Sequence, residues 1–250
     1  MKYDSKPFKL LKNEEIAEGI FDWTVENSEL PKLCKGGQFV NIKVPGRVLR
    51  RPISICDAYD TALRLVFQVK GEGTKIMSEM KPGDEVEILA PLGNGFNLEK
   101  GKRYCFVGGG IGVPPLLFSA KQVEDPMIIT GFRNEKLIIL QDEFKKISDK
   151  VFLTTDDGSA GVSGFVTDVL FEHLDEIDEV CACGPIPMLK AVAAVCKGKV
   201  NCQVSLEERM GCGIGACLVC ACKTKTNEGE SMTQVCKHGP VYNAEEVFYE

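Results

Sequence analysis

"RYCFVGGGIGVPPLLFSAKQV", residues 103–123, decides the fold. Tyr104 to Val107 is an apolar run of strand length, Gly108, Gly109, Gly110 and Gly112 crowd into a turn, and Pro114 and Pro115 open an apolar helical segment. The same order of strand, turn and helix recurs through "PMIITGF" (126–132), "KVFLTTDDGS" (150–159) and "EVCACGPIPMLKAVAAVC" (179–196). That alternation predicts a parallel sheet with helices on both faces and a ligand at the carboxyl ends of its strands.

Upstream, from Phe39 to Gly95, the punctuation changes. "FVNIKV" and "ALRLVFQVK" are rich in β-formers, and the second sets Leu63, Leu65, Phe67 and Val69 against Arg64, Gln68 and Lys70, as in a strand with one wet side. "KPGD" (81–84) is a turn leading into the strand "EVEIL". Short strands at this spacing predict a small β-barrel. Downstream of about Gln203 neither pattern continues, and the cysteines crowd together. Three segments follow: a β-barrel domain over 1–99, an α/β nucleotide-binding domain over 100–202 and a small cysteine-rich domain over 203–250.

The chain has 250 residues, 44% hydrophobic and 26% charged, with a net charge of −6. That acidic balance, without a Lys/Arg cluster, excludes a nucleic-acid or anionic-membrane surface and favours small molecules and protein partners. The opening "MKYDSKPFKLLKNEEIAEGIF" has no apolar signal region, and no stretch reaches membrane-spanning length. A cytoplasmic setting is expected, where clustered thiols bind metal more often than they form disulfides.

Cys212, Cys217, Cys220 and Cys236 are spaced C-x4-C-x2-C-x15-C, the plant-type 2Fe–2S pattern. Gly211, Gly213 and Gly215 suit a loop whose amides turn toward sulfur. Zinc would prefer two C-x2-C knuckles, and only Cys217 with Cys220 makes one. A Rieske centre needs two histidines, and His173 and His238 lie far apart in sequence. An empty or redox-sensing loop is the third alternative, and Cys222 reads as packing.

Two further stretches offer ligand contacts. In "RRPISI" (50–55), Arg51 could grip a pyrophosphate and Ser54 bond a polar ring edge; "GEGT" (71–74) is a glycine turn at a helix start, suited to an anion or simply to turning the chain. "VGGGIGVPPL" lacks the third glycine of the dinucleotide fingerprint, and "CGPIPM" (183–188) sits at a strand end of the same sheet, where Cys183 also reads as a buried small hydrophobe. The acids of "TTDDGS", Asp156 and Asp157, would repel a 2′-phosphate or merely shape a turn.

In order, "RPIS", "GEGT", "GGGIGVPP" and "CGPIPM" resemble the ferredoxin reductase superfamily, whose β-barrel binds flavin and whose α/β domain binds the nicotinamide nucleotide. Ile53 stands where many members have a flavin-stacking Tyr. Within it, "LRRPISI", "KPGDEVEILAPLGNGF", "TTDDGSAGVSGFVTDVL", "LEERMGCGIGACLVC" and "CKHGPVY" resemble the electron-transfer subunits of bacterial NAD-dependent dihydroorotate dehydrogenases, over essentially the whole chain. The resemblance implies FAD held by Arg51, Pro52, Ile53, Ser54, Val66, Phe67, Gln68, Gly73 and Thr74. It implies NAD at Gly108, Gly109, Gly110, Gly112, Cys183 and Gly184, and a 2Fe–2S cluster on Cys212, Cys217, Cys220 and Cys236. It also implies an FMN-containing catalytic subunit that oxidises dihydroorotate in pyrimidine biosynthesis, joined with this chain in a heterotetramer of two plus two. No catalytic residue is expected on this chain. The runner-up is the small subunit of a ferredoxin-dependent NADP reductase or sulfide dehydrogenase, and a non-enzyme reading is a zinc-containing nucleotide-binding regulator.

Overall fold

The computed structural model describes residues 4–249; residues 1–3 and 250, the outermost positions of the first and third expected segments, lie outside them. Six strands close a barrel in the order β1-β2-β5-β4-β3-β6: β1 (Asp4–Ala17), β2 (Ile20–Glu26), β3 (Phe39–Ile42), β4 (Arg51–Ala58), β5 (Ala62–Gln68) and β6 (Glu85–Leu92). Alternation fills its interior. Phe8, Leu10, Trp23, Val40, Ile42, Leu63, Leu65, Phe67 and Ile88 form one buried cluster, with the Trp23 and Phe67 rings edge to face at 5.3 Å. Helix α1 (Glu72–Glu79) follows β5, and Gly83 supplies the expected positive φ, +102°, in the turn before β6.

The second unit is a seven-stranded sheet in the order β10-β9-β8-β7-β11-β12-β15. Its strands β7 (Tyr104–Gly109), β8 (Met127–Phe132), β9 (Val151–Thr155), β10 (Val162–Ser163), β11 (Glu179–Cys183) and β12 (Asn201–Ser205) run parallel. Alternate residues dress opposite faces. Cys105, Val107, Val180 and Ala182 pack toward α4 (Val166–Glu172) and α5 (Ile186–Cys196), whereas Tyr104, Phe106, Cys181 and Cys183 pack toward α2 (Pro114–Ala120) and α3 (Gln141–Lys145). The expected parallel sheet with helices on both faces is what forms.

The carboxyl-terminal part holds the hairpin β13 (Ala221–Thr226) and β14 (Gly229–Gln234), then β15 (Val241–Asn243) and α6 (Ala244–Val247). Here the structure adds what the sequence did not suggest: β15 returns to the α/β sheet antiparallel to β12, and the boundary expected after residue 202 falls inside β12. Three residues are too few to carry a periodicity, so this strand is specified by its neighbours. Among the described residues, no helix is long and apolar enough to cross a membrane.

The expected wet face of β5 is only partly wet: Arg64 and Gln68 are half-buried and Lys70 is exposed. Val66 is buried against the α/β unit, and Arg64 reaches from β5 to Asp22 of β2 (3.0 Å) and Glu143 of α3 (3.1 Å). A second bridge, Lys121 to Asp57, ties the end of α2 to β4. These pairs fix the barrel against the sheet, and Asp22 is only 2% exposed. Arg64→Met should therefore cost about 3 kcal/mol, because it leaves a buried carboxylate with Lys12 as its remaining partner at 3.3 Å. Urea unfolding of the purified protein measures it, and a loss under about 1 kcal/mol would contradict this account.

Candidate functional site

In strand order the chain runs outward from β7 through β8 and β9, then returns to the other side of β7 with β11 and β12. The switch point lies between β7 and β11, where adjacent connections diverge and leave a crevice. The glycine turn after β7 and the "CGP" turn after β11 meet there. A Cβ on Gly112 would lie 2.4 Å from the Cys183 carbonyl oxygen, and one on Gly109 would lie 2.4 Å from the Met188 sulfur. Only bare Cα positions let the two turns close.

Above them opens a cleft of about 650 Å³, lined by Gly109, Gly110, Gly112 and Gly184, by Arg133 and Asp156 at the ends of β8 and β9, and by Gln68 and Lys70 of the barrel. Gly108 and Cys183 lie beneath this wall. Gly108 packs on Val113 and Leu116, and Cys183 is buried, which pushes its thiol up to about 12. The two readings of "TTDDGS" divide between its acids. Asp157 accepts from the Ser159 amide (2.9 Å) and hydroxyl (2.6 Å) and shapes the turn, while Asp156 faces the cleft.

A second opening lies in the barrel wall. β4 pairs with β5 only from Ile55 onward, and Arg51 to Ser54 pair with β3 alone. Val66 to Gln68 likewise pair with β2 alone. Two main-chain edges thus face a slot between splayed strands, with backbone groups that a planar polar ligand can satisfy. The side chains of Val66 and Phe67 are buried, so these two offer main chain only. Gly73 closes one end: the Arg51 guanidinium lies where its Cβ would be, within 2.2–2.4 Å of that position. The Thr74 hydroxyl accepts from the amides of Lys70 (2.9 Å) and Gly71 (3.2 Å), holding the turn that starts α1. Arg51 to Ser54 and Gln68 thus lie along the two parted edges, with Gly73 against Arg51 and Thr74 holding the turn that carries it; Gln68 also borders the cleft.

The cysteine loop covers the barrel's outer face beside β3 and β6. Gly213 (φ +76°) and Gly215 (φ +83°) turn it inward, and amides reach sulfur: Ile214 and Ala216 to Cys212 at 3.4 and 3.3 Å, Gly215 to Cys236 at 3.1 Å. Burial works to raise the Cys212 thiol, but the amides of Ile214 and Ala216 and the Cys217 group outweigh it and bring it down to about 6. Among the described residues, no three Cys, His, Asp or Glu side chains converge on one ion position. The sulfurs form two pairs, Cys212 with Cys217 and Cys220 with Cys236; the second residue's amide approaches the first sulfur at 3.5 Å in the latter, and the Cys212 amide approaches Cys217 at 3.4 Å. Zinc needs four ligands on one centre, whereas a two-iron cluster takes two thiolates on each iron. The donor set fits the second.

Arg133, Lys70, Phe165 and Glu207 also line the cleft and were not singled out from sequence. Arg133 follows the β8 strand end, a position the doubly wound pattern could have flagged. Lys70 and Glu207 come from other units, and no local pattern marks them.

Residues 207–248 match the family described as the iron-sulfur cluster binding domain of dihydroorotate dehydrogenase B. Over 245 residues the chain is 44% identical to the dihydroorotate dehydrogenase B (NAD(+)) electron transfer subunit of Caldanaerobacter subterraneus subsp. tengcongensis, covering 96% of this chain and 97% of that protein. The subunit of the same name from Geobacillus sp. is 40% identical over 250 residues, covering 95% and 96%. Among solved structures, one of the NADH-dependent reduced ferredoxin-NADP oxidoreductase superposes with a TM-score of 0.86 at 31% identity, over 96% of this chain and 89% of that one. The cytochrome b5 reductase domain of Ulva prolifera nitrate reductase shares the fold at 0.64 and 19% identity, over 79% and 96%. The runner-up drawn from sequence, a ferredoxin-dependent NADP reductase subunit, is thus a structural relative, and the similarity to the dihydroorotate enzyme subunits is at higher identity over a like share of the chain. A barrel with a parted wall, a nucleotide cleft at the switch point and a paired-cysteine loop, joined to these relatives end to end, make this chain a member of the family of electron transfer subunits of dihydroorotate dehydrogenase B (NAD(+)).

Proposed function

We propose that the barrel slot holds FAD, the cleft holds NAD, and Cys212, Cys217, Cys220 and Cys236 hold a 2Fe–2S cluster, in a cytoplasmic heterotetramer of two such chains with two FMN-containing catalytic subunits. One observation carries this reading: residues assigned here to the three sites are linked in series. Gln68 borders both cleft and slot, and Pro52 on the slot's edge is paired with Asn41, whose side chain meets the cysteine loop at Cys212.

When bound, the flavin converts between hydride and single electrons, and the cluster handles single electrons. The chain's own residues orient and exclude. Arg51 supplies a fixed positive charge for a pyrophosphate, and the edges at 51–54 and 66–68 offer main-chain hydrogen bonds to a ring. The glycine turns would let a nicotinamide nucleotide approach backbone, and Asp156, which lines the cleft, would be available to its ribose. The three segments 1–99, 100–202 and 203–250 divide the work accordingly, although β15 anchors the last to the second.

Between the ligands Cys217 and Cys220, Leu218 and Val219 are 59% and 57% exposed, an apolar tip beside the cluster that suits a protein partner. Leu218→Asp should weaken copurification with the catalytic subunit at least tenfold while iron content is unchanged; equal recovery would move the interface elsewhere. The twelve cysteines are all free, in keeping with a reducing compartment.

Asp156 supports NAD over NADP, since its carboxylate would face a 2′-phosphate. Asp156→Ser should raise the NADP to NAD ratio of kcat/KM by about 10- to 100-fold. Asp157→Ser serves as the control, and equal ratios in the two variants would remove Asp156 from this role.

The assay for the whole reading is a visible spectrum of protein purified without oxygen, with iron, acid-labile sulfide and released flavin quantified. Iron, sulfide and FAD in cluster and flavin stoichiometry support it. Zinc without iron or flavin overturns it.

A further inference from the structure

Asn41 is buried on the barrel's outer face, 1% exposed, at the contact between the slot and the cysteine loop. Its neighbours on β3, Val40 and Ile42, point into the barrel core, while Phe39 packs outward with Leu92, Cys220 and Cys236. Asn41 shares that outward face, so the loop is roofed by one ring and one carboxamide. In register Asn41 pairs with Pro52 on the slot's edge and with Leu89 of β6. Both strand neighbours fix its backbone, and only the side chain reaches the loop.

The contact is tight and electrically incomplete. A Cβ on Gly213 would lie 2.6 Å from the Asn41 Nδ2, so this glycine, at φ +76°, is what lets the amide in. Nδ2 donates to the Cys212 carbonyl at 3.5 Å, a long bond, and Oδ1 has no hydrogen-bond partner among the described residues. A buried amide left this way costs about 1–3 kcal/mol, which asks for a reason. Turning the carboxamide over would set its oxygen against the Cys212 carbonyl, so the N–H side is held toward the loop. Nδ2 has a second proton, and the Cys212–Gly213 segment beside it carries a sulfur proposed to bind iron.

We infer that Asn41 is a positioning residue for that cluster: by donating to the Cys212 carbonyl its amide sets the Cys212–Gly213 segment against the flavin strand, and the N–H end of its dipole, turned toward the loop, raises the cluster's reduction potential. The positive end of a side-chain amide dipole turned toward the cluster stabilises the reduced state, which carries one more negative charge. The inference rests on the assignment of Cys212 as a cluster ligand.

The test is an EPR-monitored reductive titration of the purified two-subunit complex with dithionite, one electron added per cluster. Asn41→Leu keeps the shape and removes the amide. Its cluster should be about tenfold harder to reduce at equilibrium, a fall of about 59 mV, with FAD content unchanged. Gly213→Ala, which pushes the amide off the loop, should shift it in the same direction. Should Asn41→Leu fail to load iron, the reading passes to Asn41→Asp, whose carboxylate keeps the shape, replaces donor by charge and should also lower the potential. Wild-type potential and EPR spectrum in these variants, with iron and FAD fully loaded, would overturn the inference alone. Wild-type protein lacking iron and sulfide would overturn the cluster assignment and this inference with it.

Discussion

Cys220→Ser, in the two-subunit complex, is expected to cut dihydroorotate-driven NAD reduction by on the order of a hundredfold or more, while FAD stays bound and NADH oxidation by ferricyanide continues. The size follows from the residue's place. Cys220 is 2% exposed, paired with Cys236, and its sulfur receives the Cys236 amide at 3.5 Å. Losing an outer contact to a metal ligand already costs about 10- to 100-fold, and here a ligand is lost. The other half of the prediction follows from separation, since Cys220 borders neither the slot nor the cleft. Substrate-driven activity at the wild-type rate would show that electrons reach NAD without this loop. Loss of FAD together with activity would show instead that the loop holds the barrel in shape.

Arg51→Met should weaken FAD binding by about 3 kcal/mol, on the order of a hundredfold, with the protein recovered folded and deficient in flavin. Arg51 already lies over the bare Cα of Gly73, its Nη1 donating to the Leu49 carbonyl at 2.6 Å. Its charge is thus preorganised at the slot's mouth, and methionine keeps the aliphatic stem while removing charge and donors. Arg47, held by Glu72 at 2.7 Å, is a neighbouring cation whose replacement should have a much smaller effect. Released flavin measured after gel filtration distinguishes them. Equal retention in the Arg51 and Arg47 variants would place the phosphates elsewhere.

The sequence by itself determined the barrel, the parallel sheet and the cysteine loop. Each is announced by local chemistry: alternation at "ALRLVFQVK", glycine between strand and helix at 108–112, and thiols at cluster spacing from Cys212. These signals survive without neighbours because backbone geometry and ligand reach are local constraints. Tertiary structure alone decided the rest. The opposite face of β5 is polar in sequence, yet Arg64 is sheltered because Asp22 and Glu143 arrive from β2 and α3. Val66 and Phe67 read as contact residues, but packing leaves them only their main chain. Asp156 and Asp157 are identical in composition and adjacent, and only Ser159's position assigns one to a turn and the other to the cleft. Asn41 is an ordinary strand residue until Gly213, 172 positions away in the sequence, closes over it. Such roles depend on groups that meet only when distant segments are packed, and no local pattern of residues records that meeting.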